Sequence, residues 1–138
     1  MHVNPSDDEI WTLLETSKTI AMGGASSKPD RPSHGVMSHL QRAGYRVIPV
    51  NPNETEVLGE KAYRSLEDLT ESIDIVDVFR RAEDTPPIAD QAVKIGARAF
   101  WLQQGIVSEA AASRAEAGGL TVVMDRCLAV AYVTLLGV

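Results

Sequence analysis

Five short apolar runs recur along this chain, separated by intervals long enough to hold a helix, and this alternation restricts the fold more than any other feature. The runs are Lys18 to Gly23 (KTIAMG), Tyr45 to Val50, Ile73 to Phe79, Ala99 to Leu102 and Leu120 to Met124. A run that is apolar throughout and only a few residues long suits a parallel strand buried on both faces. Parallel neighbours need crossover connections, which lie against the sheet as helices. With 138 residues there is room for one compact domain and no second.

Helix signals fill the intervals. Ser6 with Glu9 forms an S-x-x-E capping box ahead of Ile10, Trp11, Leu13 and Leu14, which predicts a first helix to about Thr16. Ser33 is the predicted N-cap of a second helix, with Val36, Met37 and Leu40 on one face and Gly44 just past its end. Pro49 removes a ladder donor from the second strand, so pairing on one side should fail there. From Asn51 to Ser72 the chain is polar, with a helical turn around Leu66 to Leu69. Thr85 followed by Pro86 starts a third helix, with Ile88, Ala92, Val93 and Ile95 on its buried face. Ser108 opens an alanine-rich fourth helix, and Asp125 is the predicted cap of a fifth. Together these elements predict a single-domain α/β, Rossmann-like fold over 1–138, with a five-stranded parallel sheet and helices on both faces.

In such sheets ligands bind outside the carboxyl ends of the strands. Those positions hold Gly24, Ala25, Ser26, Ser27, Lys28 and Arg31 after the first strand, and Phe79, Arg80 and Arg81 after the third. Gln103, Gln104 and Gly105 follow the fourth strand, and Arg126 follows the fifth. Five cations on one edge stand out, because the chain as a whole carries a net charge of −6, which works against nucleic-acid binding. Gly23 and Gly24 let the backbone approach a ligand, the serine hydroxyls can donate, and the next helix aims its N-terminus the same way. A phosphate-bearing ligand is the natural guest; a tight turn with solvated cations is the plainer alternative.

Two features separate this loop from a plain NAD module. GGASSKPDRPSHG holds no G-x-G-x-x-G, and the second strand ends in Asn51 and Pro52 where NAD domains place an acid on the ribose. Coenzyme A, with a pyrophosphate and a separate 3′-phosphate, would engage both the loop and outlying cations; NADP satisfies the same requirement.

The segments IAMGGASSKPDRPSHGV, YRVIPVNP, IDIVDVFR, WLQQGI and VVMDRCL resemble the small stand-alone CoA-binding proteins of bacteria and archaea, over nearly the whole chain. That family is similar in fold to the nucleotide-binding domain of the succinyl-CoA synthetase α subunit. The resemblance implies that Gly24, Ala25, Ser26 and Ser27, with Lys28 and Arg31, lie over the CoA phosphates. It places Asn51 and Pro52 on the adenosine side and Gln103, Gln104 and Gly105 at the fourth-strand turn. The synthetase's phosphorylated histidine has no counterpart, since His2, His34 and His39 all precede the second strand, so ligase chemistry is not implied. The expected ligand is therefore coenzyme A or an acyl-CoA, without evident catalysis.

Cys127 is the one residue suited to further chemistry. It stands beside Arg126 near the start of the last helix, where a helix N-terminus and a cation favour a thiolate. A CoA-thiol-exchanging or NADP-dependent enzyme is thus an alternative to simple binding, as is a nucleotide-regulated module that meets a protein partner or a second copy. A small buried side chain is the structural reading of the same cysteine. His34 could donate to a phosphate or simply face solvent. No Cys or His pair has metal-ligand spacing. A single cysteine excludes an internal disulfide, and the amino-terminal MHVNPSDDEIW lacks the pattern of a signal peptide, so a soluble cytoplasmic protein is expected, with no membrane contact.

Overall fold

The computed structural model describes residues 1–137, and the predicted alternation is present in it. In chain order the elements are α1 (Asp7–Thr16), β1 (Thr19–Gly23), α2 (Pro32–Arg42), β2 (Arg46–Val50), β3 (Glu56–Val57), β4 (Glu60–Lys61) and β5 (Ile75–Val78). They continue with α3 (Thr85–Lys94), β6 (Ala99–Leu102), α4 (Glu109–Ala117), β7 (Thr121–Val123) and α5 (Leu128–Leu136). Five strands form one parallel sheet in the order β2-β1-β5-β6-β7, while β3 and β4 make a small antiparallel hairpin. The chain starts inside the sheet, turns one way through α2 to β2, then returns past β1 to build β5, β6 and β7 on the other side. The loops leaving β1 and β5 therefore diverge at their carboxyl ends, which opens a crevice at that switch point.

Alternation along the strands divides the core in two. Ile20, Met22, Ile75, Trp101 and Val123 pack with Ile10 and Leu14 of α1, Met37 and Leu40 of α2, and Leu128 and Ala131 of α5. Ala21, Ile48, Val76, Val78, Phe100 and Val122 face Ala89 and Ala92 of α3 and Ala111, Ala112 and Ala115 of α4. The neighbours Phe100 and Trp101 thus anchor opposite faces, both fully buried, each worth roughly 1.5–3 kcal/mol or more of burial. The Trp101 indole Nε1–H donates to the Arg126 carbonyl at 2.7 Å, so its one polar group is satisfied. Among the described residues no helix is long and apolar enough to cross a membrane.

Ser6 caps α1 as expected, accepting from the Glu9 N–H at 3.2 Å, and Ser108 caps α4 through the Ala111 N–H at 3.1 Å. Two predicted caps are corrected. Ser33 lies within α2, whose N-cap is Arg31 with Pro32 next; its hydroxyl instead accepts from the Ser26 N–H at 3.1 Å. Asp125 does not cap α5, because Cys127 holds the N-cap position and the Asp125 carboxylate accepts from the Gly105 N–H at 2.7 Å. Thr85 opens α3, and its hydroxyl donates to the Ala82 carbonyl at 2.7 Å. Pro49 keeps its register with Met22 of β1; its missing donor lies on the outer edge, where its carbonyl accepts from the Tyr63 N–H at 3.0 Å.

One residue of the core carries a carboxyl group. Asp77, on the central strand β5, sits between Met22 and Trp101, is completely buried, and neither carboxyl oxygen has a hydrogen-bond partner among the described residues. Burial pushes its carboxyl well above the usual range, since the charged form loses its hydration. The folded chain therefore keeps a proton there that the unfolded chain releases above the ordinary carboxylate pKa, and stability falls as pH rises from that value toward the folded one. Asp77→Asn should remove this component, so that its thermal midpoint exceeds that of the parent by a margin that widens from pH 4 upward. Each 1 kcal/mol recovered is worth roughly 4 °C. A constant difference in midpoint between the two chains across that range would contradict a buried, neutral Asp77.

Candidate functional site

The crevice is built from five loops, and the loop after β1 sets its floor. Gly24 has φ +81°, and its N–H donates to the Val50 carbonyl at 2.9 Å. A Cβ placed there would fall 2.3 Å from the Phe79 carbonyl oxygen, so this contact admits glycine alone. The Phe79 N–H donates to the Gly23 carbonyl at 2.8 Å, which ties the end of β5 to the same point. Beyond Gly24 the chain folds into tight turns: the Lys28 N–H donates to Ser26 Oγ at 3.1 Å, and the Arg31 N–H to the Lys28 carbonyl at 3.0 Å.

The loop after β2 closes over this one. Asn51 donates from Nδ2 to the Ala25 carbonyl at 2.8 Å and accepts from the Asn53 N–H at 2.9 Å, which forms an Asx turn. That turn delivers Glu54 into the crevice, where its Oε2 accepts from the Ser27 N–H at 2.8 Å and from the Ser27 hydroxyl at 3.0 Å. The Ser27 backbone bond, then its hydroxyl, then the nearby Lys28 charge hold the Glu54 carboxyl below the usual carboxylate range. The loop after the second strand thus does supply an acid to the crevice, two residues beyond the Asn51–Pro52 pair at which the sequence lacked one.

The far wall comes from the turns after β6 and β7, which interlock. Gln103 is buried; its Oε1 accepts from the Leu128 N–H at 3.1 Å and so anchors the first turn of α5. The Asp125 N–H donates to the Ile106 carbonyl at 3.2 Å, and Asp125 itself has φ +60°, uncommon for a residue with a side chain. Cys127 follows, half-buried, with its side chain on the crevice wall.

The resulting cavity has a volume of about 990 Å³, at the upper end of the range for small-molecule sites. The structure brings together Gly24, Ser26, Ser27, Lys28, Arg31, Asn51, Phe79, Arg80, Gln103, Gln104 and Cys127 from the sequence-predicted set. Three others lie outside the lining. Ala25 is fully buried in the core beneath the loop, Pro52 borders a smaller neighbouring cavity of about 160 Å³, and the Gly105 N–H is taken by Asp125. Of the five edge cations, Arg126 is turned away by an ion pair with Asp7 at 3.1 Å. Lys28, Arg31, Arg80 and Arg81 do line the cavity; Arg80 and Arg81 share Asp84 at 3.6 and 3.3 Å, whereas Lys28 and Arg31 form no ion pair among the described residues. Ser33, Val36, Asn53, Glu54 and Ile106 also line it, and no strand-end pattern in the sequence marked them. His34 does not reach the lining, and His39 packs edge-on against Tyr132 at 6.3 Å.

Comparison with known proteins adds a family. The model of a family described as "CoA binding domain" matches residues 18–133. The uncharacterized protein YneT of Bacillus subtilis is 48% identical over 129 residues, which is 94% of this chain and 96% of that protein. A hypothetical protein from Pyrococcus horikoshii superposes with a TM-score of 0.94 at 38% identity, covering 99% of both chains. An ADP-forming acetate–CoA ligase of Methanocaldococcus jannaschii is 26% identical over 81 residues, 59% of this chain and 12% of the ligase.

The left-handed Asp125 turn offers a test of how the far wall is held. Asp125→Ala removes the acceptor for Gly105 and leaves the strained backbone, and should lower stability by about 1–3 kcal/mol in urea titration. Asp125→Asn, which tolerates positive φ and keeps a side-chain acceptor, should lose less than half of that. Equal losses in the two variants would show that the side-chain bond contributes nothing.

Proposed function

Because the chain belongs to the CoA binding domain family, we propose that it binds coenzyme A or an acyl-CoA in the crevice at the carboxyl edge of its sheet, without catalysis of its own. The observation that carries this reading is the concentration of four cations from two loops around one cavity in a chain of net charge −6. A ligand with a pyrophosphate and a separate phosphate matches cations spread over the loops after β1 and β5 better than a single anion does. Lys28 and Arg31, which form no ion pair among the described residues, are the first to meet phosphate, with Arg80 and Arg81, paired to Asp84, behind them. Gly24, Ser26 and Ser27 form the close backbone approach, and Ala25 supports it from below. Val36, Phe79 and Ile106 supply apolar wall for adenine or the pantetheine chain. Asn51, Gln103 and Gln104 frame the two ends, Asn51 fixed by its bond to Ala25 and Gln103 by its bond to α5, while Pro52 and Gly105 support the loops from outside the lining.

Cys127 on the same wall supports a second reading. If its thiolate attacks the disulfide of oxidised CoA, a Cys127–CoA mixed disulfide forms and the second CoA leaves as a thiolate that solvent protonates. Incubation with CoA disulfide followed by intact-mass measurement separates the two: simple binding predicts no adduct, and exchange predicts one that Cys127→Ser abolishes.

Calorimetry tests the main reading. CoA should bind with a measurable heat and more tightly than NADP, and Arg31→Ala should weaken it about tenfold while lowering the salt dependence, as expected for a lost charge-assisted phosphate contact. Absence of CoA binding at millimolar concentration would overturn it.

A further inference from the structure

Three backbone donors of the loop after β1 are held by acceptors of the loop itself or of the elements beside it. The Gly24 N–H goes to a strand carbonyl, the Ser26 N–H to the buried Ser33 hydroxyl, and the Lys28 N–H to Ser26 Oγ within its own turn. Ser27 differs, since both its N–H and its hydroxyl converge on one oxygen of Glu54, 27 residues away. Two donors closing on a single carboxylate oxygen is how a loop holds an oxyanion. The loop thus already holds an anion, and the anion is the chain's own.

We propose that Glu54 is an internal latch that occupies an oxyanion subsite at Ser27 in the ligand-free chain, and that a phosphate of the incoming ligand displaces it. This rests on the cavity reading above and adds how that cavity is regulated. The arrangement suits exchange. The backbone around Glu54 is pinned by Asn51, so only the side chain need swing away. Glu54 makes no ion pair among the described residues, although Lys28 and Arg31 line the same cavity; its charge is taken by Ser27 while those cations stay free to draw an anion in. A group carrying more charge than one carboxylate displaces the latch, and an uncharged group does not. The latch therefore selects for phosphate at this point of the cavity.

Two variants separate contact from mere charge. Glu54→Ala removes both, while Glu54→Asp keeps the charge but is one methylene too short to reach Ser27. Since a closed state lowers apparent affinity by the fraction of chains that are open, both variants should bind inorganic pyrophosphate and CoA about 3–10-fold more tightly than the parent. Pantetheine, which has no phosphate, should bind all three chains alike. A gain in Glu54→Ala alone would assign the effect to the charge and overturn the latch. Weaker CoA binding in Glu54→Ala would make Glu54 a ligand contact and overturn it as well. In both cases binding of CoA by the parent would leave the cavity reading standing; CoA binding by none of the three chains would remove that reading and the latch together.

Discussion

Three strand ends meet at Gly23 and Gly24, and the shape of the crevice depends on that junction. The Gly24 N–H reaches the end of β2, the Gly23 carbonyl receives the end of β5, and the Phe79 carbonyl lies where any side chain on Gly24 would have to be. The junction lies at the point where the order of the sheet reverses, so the loops that leave it part in opposite directions. A larger residue at 24 would push β5 away from β1, and with it Phe79 and Arg80 from the serine loop. Few places in the chain combine so little tolerance with so many dependent positions.

Much of the fold was legible because periodicity is local. Each of the five sheet strands lies within a predicted run, and Ser6 and Ser108 cap the helices their spacing implied. What was not legible depended on competition at a distance. Ser33 and Asp125 have the chemistry of caps, yet the Ser26 and Gly105 N–H groups claim them first. Arg126 follows its strand as a phosphate-binding cation would, but α1 brings Asp7 across to it. The β3–β4 hairpin turns through Leu58 at φ +49°, a conformation its side chain gives no reason to expect. At the candidate site, the strand-end residues were readable from position alone. Glu54 was not, because its arrival depends on an Asx turn whose reach no linear spacing encodes.

Electrostatics in this chain is arranged by place rather than by total. Acidic residues dominate the composition, but Arg46 ties Glu60 and Glu71 together at the opposite end of β2 from the cavity, and burial disfavours the charged form of Asp77. The crevice is thereby left with cations that are only partly compensated. An acidic protein can in this way present an anion-attracting mouth without a basic surface.

The outward-facing edge of β2 has a further consequence. Pro49 offers no N–H there, and the carbonyl beside it and the next N–H, that of Asn51, are both engaged by Tyr63. A foreign strand meeting the carboxyl half of this edge finds its ladder groups already used, and β7 at the opposite edge is only three residues long. Sheet-to-sheet polymerisation, the standing hazard of open parallel sheets, is thus blunted at both margins. Helices and loops offer copies of this chain more surface for association than either sheet edge does.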